Sequence, residues 1–235
     1  MPPIPAATLV VVRDRNGGPP ELLMVERAAG MAFAAGALVF PGGRIDEHDG
    51  SAAVAAIRET LEETAIPVGL SPIPPVGVAI ALQSALLDDR PFQTLLGEHG
   101  LSLSLDALTP LARWVPKFHA TRRFDTLFFV ARAPEGEWEP NFVAGECSGA
   151  FWITAADALE RERRGEARLI FPTRRNLERL ALHPSFDAIR DDAIAHPIEP
   201  VTPWVEEVDG DSFITIPEGI GYPVTREKLD GLWRG

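Results

Sequence analysis

Aliphatic and β-branched residues concentrate in two runs near the start of the chain, Thr8 to Arg13 (TLVVVR) and Glu21 to Arg27 (ELLMVER), separated by DRNGGPP. The pattern predicts two strands, and the Gly-Pro break between them predicts a hairpin. Gly36 to Phe40 (GALVF) predicts a third short strand, ended by Pro41-Gly42-Gly43. The apolar period then changes. Val54, Ile57, Leu61 and Ala65 recur at spacings of three and four, the core-facing stripe of a helix, with Ser51 placed to cap its first turn. Pro67 and the SPIPP run from Ser71 to Pro75 predict where that helix stops.

From Val76 to Leu111 the segments VGVAIALQSALL, RPFQTLLGEHG and LDALTPLAR predict an insertion of two or three weakly polar helices, about residues 76–111. Strand character returns at Ala112 to Pro116, at Thr126 to Ala131 (TLFFVA) and at Phe151-Trp152-Ile153. ADALERERRGE, TRRNLERLALH and SFDAIRDDAIA predict three amphipathic helices. A Pro-rich tail, about 196–235, holds one strand-like run at Ser212 to Ile216. No internal repeat or low-complexity tract interrupts the chain, and 235 residues predict one elaborated domain, 1–235, with a substantial core.

Composition is that of a soluble globular protein, 46% hydrophobic and 24% charged. No apolar run is long enough to span a bilayer, and MPPIPAATLVVVRDRNGG lacks the basic segment of a signal peptide. The single cysteine, Cys147, excludes an intrachain disulfide and fits a cytoplasmic location; no His or second Cys stands at a metal spacing from it. Lys and Arg number 22 against 34 Asp and Glu, a net charge of −12. That balance argues against a nucleic-acid partner or an anionic membrane. It leaves a phosphorylated small molecule open, because a bound divalent cation reverses the local field.

The charge is not spread evenly. Arg58, Glu59, Glu62 and Glu63 fall within six residues of the predicted helix, after a loop holding Asp46, Glu47 and Asp49. Positions 59, 62 and 63 share one helical face. A solvated acidic face is the ordinary reading of such a run. Here the stretch lacks interleaved lysines, and Pro-Gly-Gly ahead of it lets backbone carbonyls approach a ligand closely. Clustered hard oxygens of this kind suit Mg²⁺ or Mn²⁺, which removes their mutual repulsion.

Arg58-Glu59-Thr60-Leu61-Glu62-Glu63-Thr64-Ala65-Ile66, with Gly43 ahead of it, resembles the Nudix box, G-x5-E-x7-R-E-U-x-E-E-x-G-U. Gly43 lies one residue further from Arg58 than that pattern asks, so Asp46, Glu47 or Asp49 must stand in for its loop glutamate. Thr60 and Ala65 replace an aliphatic residue and a glycine, read here as packing positions. The resemblance implies an α+β fold, an α/β/α sandwich with a mixed sheet between helices. It also implies hydrolysis of a nucleoside diphosphate derivative by water, with Glu59, Glu62, Glu63 and the Gly43 carbonyl around Mg²⁺ or Mn²⁺ and Arg58 among the catalytic residues. Glu59 and Glu146 are both candidates for the general base; a surface glutamate is the plain alternative for Glu146.

LMVERAAGMAFAAGALVFPGG further resembles the coenzyme A diphosphatase motif LLTxR(S/A)x3Rx3Gx3FPGG, except that Ala32 stands where its second arginine would be. With VFPGGRID, the helical insertion and Trp114 followed by RRFDTLFFVA, the chain resembles the branch containing the peroxisomal coenzyme A diphosphatase and its bacterial relatives. That implies coenzyme A or an acyl thioester as substrate and, as in many members, a homodimer. Arg27, Phe40 and Gly42 are the matching substrate-site positions. Arg122 or Arg123 could supply the missing phosphate clamp, or one of them could pair with Asp125 instead. His119 reads as a loop residue, and Arg174 and Arg175 as surface residues opening a helix.

Overall fold

The computed structural model describes residues 2–28, 30, 34–115, 123–145 and 147–229. Strand β1 (Ile4–Arg15) sets the architecture. Its Ala7, Leu9 and Val11 enter one core and Val10 and Val12 another, on the opposite face. A strand covered on both faces has no polar side to show, which is why TLVVV reads as an unbroken apolar run.

Strand β2 (Gly18–Arg27) returns antiparallel to β1, as the hairpin expectation required, and β3 (Ala37–Val39) follows. Strand β4 (Gly42–Arg44) leads into helix α1 (Ala52–Thr64), capped by the Ser51 hydroxyl on the Val54 amide. Strand β5 (Leu70–Ser71), helices α2 (Val76–Leu87) and α3 (Phe92–Glu98) and strand β6 (Ser102–Leu103) form the insertion. Its third predicted helix is only a single turn at Leu105–Ala107, and β7 (Thr109–Trp114) begins three residues earlier than expected. Then come β8 (Phe124–Arg132), β9 (Cys147–Thr154), α4 (Ala155–Arg163), β10 (Arg168–Leu169), α5 (Phe171–Leu180) and α6 (Phe186–Ala195).

The tail departs from expectation. It carries β11 (Pro200–Val201) and a separate antiparallel sheet of β12 (Trp204–Val208), β13 (Asp211–Thr215) and β14 (Arg226–Lys228). Asp209-Gly210 makes the turn between β12 and β13, a hairpin signal that composition alone hid behind the prolines.

The main sheet runs β10-β3-β2-β1-β8-β7-β11, with β4 also on β1 and β9 also on β2. It is mixed: β1 and β8 are parallel, β1 and β2 antiparallel. Val54, Ile57 and Leu61 of α1 pack on one face with Leu82 of α2 and Leu95 of α3. Ala158 of α4, Leu177 of α5 and Ile189 of α6 pack on the other. This is the three-layer α/β/α arrangement, and full burial of each such leucine or isoleucine contributes about 1.5–3 kcal/mol. Among the described residues, no helix is long and apolar enough to cross a membrane.

Candidate active site

The site is built where β4 and α1 meet the start of β1. Ala6, Ala7 and Thr8 of β1 pair with Arg44, Gly43 and Gly42 of β4. The approach is so close that a Cβ on Gly42 would lie 2.4 Å from the Ala7 carbonyl oxygen, and Gly42 has φ +152°. A Cβ on Gly43 would meet the Glu59 carboxylate at 2.5 Å. The two glycines therefore let β4 lie flat against β1 and against the carboxylate helix together.

On α1, Glu59 and Glu62 turn toward Arg58, whose guanidinium lies 3.0 Å from Glu59 and 3.2 Å from Glu62. The Gly42 N–H donates to Glu63 Oε2 at 3.0 Å. Arg58 Nε and Nη2 donate to both oxygens of Asp49 at 2.8 and 2.9 Å, and Nη2 also donates to the Arg44 carbonyl. Of the three loop acids, Asp49 is the one that Arg58 holds with two hydrogen bonds. It is buried, it also accepts from the Asp46 N–H, and Asp46 reaches Arg58 only at 3.4 Å. Counting six residues forward from Gly43, as the box prescribes, lands on Asp49, so the extra loop residue follows it. That count was the available signal.

Burial raises the Glu59 carboxyl to about 7, against the attraction of Arg58 and with added repulsion from Glu62 and Asp46. Desolvation works to lower Arg58, but its hydrogen bonds to Asp49 and the surrounding carboxylates outweigh this and raise it. One guanidinium thus faces more negative charge than it neutralises. Among the described residues, no three His, Cys, Asp or Glu side chains are grouped to hold a metal ion as they stand. The donor chemistry nonetheless fits a hard divalent cation. Three carboxylates share a helix face beside the two glycines of β4, and burial holds one of them well above the usual carboxylate range.

The other expected site residues divide. Arg27, at the end of β2, has a buried Nε with no hydrogen-bond partner among the described residues. Arg123 precedes β8, where its carbonyl accepts from the Ile4 N–H, close in register to the part of β1 that carries β4. The Phe40 side chain is buried in the core with Leu38 and Met24 and packs the sheet. Asp125 accepts two hydrogen bonds from Arg113, at 2.8 and 2.6 Å. Arg175 is a correction: it is buried and pairs with Glu178 and Glu227. Ala65 is also no plain packing position, because it closes α1 in the left-handed conformation at φ +56°. Ala32, His119, Arg122 and Glu146 lie outside the described residues.

The NUDIX domain model matches residues 3–80, which hold β1 to β4 and the carboxylate helix. Curated relatives from Cronobacter sakazakii and Escherichia coli, each named an uncharacterized Nudix hydrolase NudL, are 48% and 44% identical over 62 residues. Those residues are 26% of this chain, which spans 31% of the length of these relatives. A crystal structure of a NUDIX hydrolase from Alicyclobacillus acidocaldarius is 28% identical and superposes with a TM-score of 0.70, over 81% of this chain and 96% of that one. Residues 3–80 thus match the NUDIX domain model, and the chain shares the fold of the Alicyclobacillus NUDIX hydrolase.

Proposed function

We propose that the chain is a hydrolase that uses Mg²⁺ or Mn²⁺ to cleave the diphosphate of coenzyme A or an acyl-coenzyme A in the cytoplasm. The products are 3′,5′-ADP and 4′-phosphopantetheine or its acyl form. The observation that carries this reading is the charge imbalance at α1, where the one guanidinium of Arg58 faces Asp46, Asp49, Glu59 and Glu62, and Glu63 lies against Gly42 of β4. Glu59, Glu62, Glu63 and the Gly43 carbonyl would hold the cation. When bound, it would neutralise diphosphate oxygens and lower the pKa of a water.

This chain's own groups do the rest. Arg58, locked by Asp49, holds Glu59 and Glu62 in place. The Gly42–Gly43 backbone lets the Glu59 and Glu63 carboxylates close against β4. Arg27, with its unsatisfied Nε, meets the anionic substrate, and Arg123 stands near the same end of the sheet. Water attacks one phosphorus and its proton passes to a carboxylate, Glu59 or Glu146, as the bridging P–O bond breaks.

Ala32, in place of an arginine of the coenzyme A motif, favours a second reading in which the substrate is ADP-ribose, a dinucleotide or a nucleoside triphosphate. A substrate panel with Mg²⁺ and Mn²⁺ decides. Phosphopantetheine release from coenzyme A should exceed turnover of ADP-ribose; equal or slower release rejects the coenzyme A assignment. Tight ligand binding with no product under either ion would identify a non-catalytic module instead.

A further inference from the structure

We infer that Gln83 and Asn141 are positioning residues, a reciprocal amide latch that closes the last turn of α1 and keeps Glu62 and Glu63 at the site. The functional part of this inference rests on reading those carboxylates as metal ligands.

A helix leaves its last carbonyls without helical partners. In α1 the Leu61 carbonyl is met by the Ala65 N–H at 2.8 Å, in an end that an alanine closes in a conformation glycine usually supplies. The next groups are met from outside. Gln83 Nε2 donates to the Glu62 carbonyl at 3.0 Å and to the Asn141 carbonyl at 2.7 Å. Asn141 Nδ2 donates back to Gln83 Oε1 at 2.6 Å, and the Asn141 N–H donates to the Thr64 carbonyl at 2.8 Å. Both donor hydrogens of the Gln83 amide and its oxygen are thus used.

Gln83 is also out of place for any other purpose. Helix α2 reads VGVAIALQSALL, with no charge and only Gln83 and Ser84 as polar side chains, yet Gln83 is on the buried face at 1% exposure. A buried amide survives in such surroundings only if it is fully bonded, and a fully bonded one fixes its partners in a single arrangement. The partners here are the carbonyl of a site residue and the segment beginning at Asn141. The insertion therefore bonds the end of the carboxylate helix through the Gln83 side chain.

The test compares Gln83→Leu, which keeps the bulk and loses every hydrogen bond, with Ala79→Gly. The second change destabilises the same helix without touching the latch. Mn²⁺ alone is titrated into each by electron paramagnetic resonance, and amide exchange is followed over residues 61–69. Gln83→Leu should weaken Mn²⁺ binding and speed exchange at the end of α1, each by about tenfold. Ala79→Gly should lower Tm with neither change, and adding Ala65→Gly to Gln83→Leu should recover most of the Mn²⁺ affinity. Wild-type Mn²⁺ binding in Gln83→Leu, or equal weakening by Ala79→Gly, overturns the inference. If the wild-type protein binds no Mn²⁺, the metal reading fails by itself. The exchange data then decide the latch, with faster exchange in Gln83→Leu supporting it and unchanged exchange overturning it.

Discussion

Two clusters of charge lie on opposite faces of the sheet, and they are composed differently. At α1, Arg58 lies within 2.8–3.4 Å of carboxylate oxygens of Asp46, Asp49, Glu59 and Glu62. Between α4, α5 and β14, two cations, Arg174 and Arg175, bind Glu162, Glu178 and Glu227. The second cluster is nearly balanced: burial lowers Arg175 and raises Glu178, while Arg174, though burial works to lower it, is raised by its hydrogen bonds to Glu162 and Glu227 and by their charge. Its function is to fasten the C-terminal sheet to α5. The first cluster has one cation for four carboxylates, and Glu59 is left near neutral protonation. The balanced cluster ties elements of the fold together, and the unbalanced one is where the proposed cation would sit.

Substitutions should separate the two clusters. The largest effect is expected from Glu63→Gln, which should lower kcat by roughly a thousandfold or more while leaving the far-UV spectrum and Tm close to wild type. Arg175→Leu should do the reverse. It strands Glu178 beside a buried apolar side chain, leaves Glu227 to Arg174, costs about 3 kcal/mol in urea denaturation, and leaves kcat unchanged where the protein is folded. A loss of kcat in Arg175→Leu larger than its loss of folded protein would break the distinction between the clusters.

Glu59 adds a pH dependence specific to the metal-free protein. Its folded pKa, about 7, lies above the ordinary 4.5, so its contribution is intact below pH 4.5 and stability is lost as pH rises through 7. Glu59→Gln should therefore stabilise the metal-free protein at pH 8 by up to about 3 kcal/mol and change nothing at pH 4.5. Saturating Mn²⁺ should abolish that gain. The smallest effect is expected at the helix end, where Ala65→Gly should stabilise the protein by about 1 kcal/mol by relieving a left-handed alanine. Urea denaturation at each pH checks both.

What the sequence made legible was local. The stripe Val54, Ile57, Leu61, the Ser51 cap and the three carboxylates on one helix face each depend on spacing along a single element, and the structure has them as expected. The features it hid depend on partners far along the chain. Phe40 lies just past β3, and its partners Met24 and Leu177 come from β2 and α5. Arg175 opens a helix with a surface-like sequence, TRRNLERL, but faces Glu227 some fifty residues later. Asp125 follows two arginines yet pairs with Arg113 across the β7–β8 ladder. Asp49 and the β12–β13 hairpin are different cases, because the count from Gly43 and the Asp-Gly turn were both present in the sequence.

The claim on which the rest depends is that the surplus of carboxylate on α1 is a seat for divalent cations. Anomalous diffraction at the manganese edge, from crystals grown with Mn²⁺ and a non-hydrolysable diphosphate, tests it most directly. The account predicts a peak beside Glu59, Glu62 and Glu63 and none among Glu162, Glu178 and Glu227. No peak at α1, or one at the balanced cluster in its place, would contradict it.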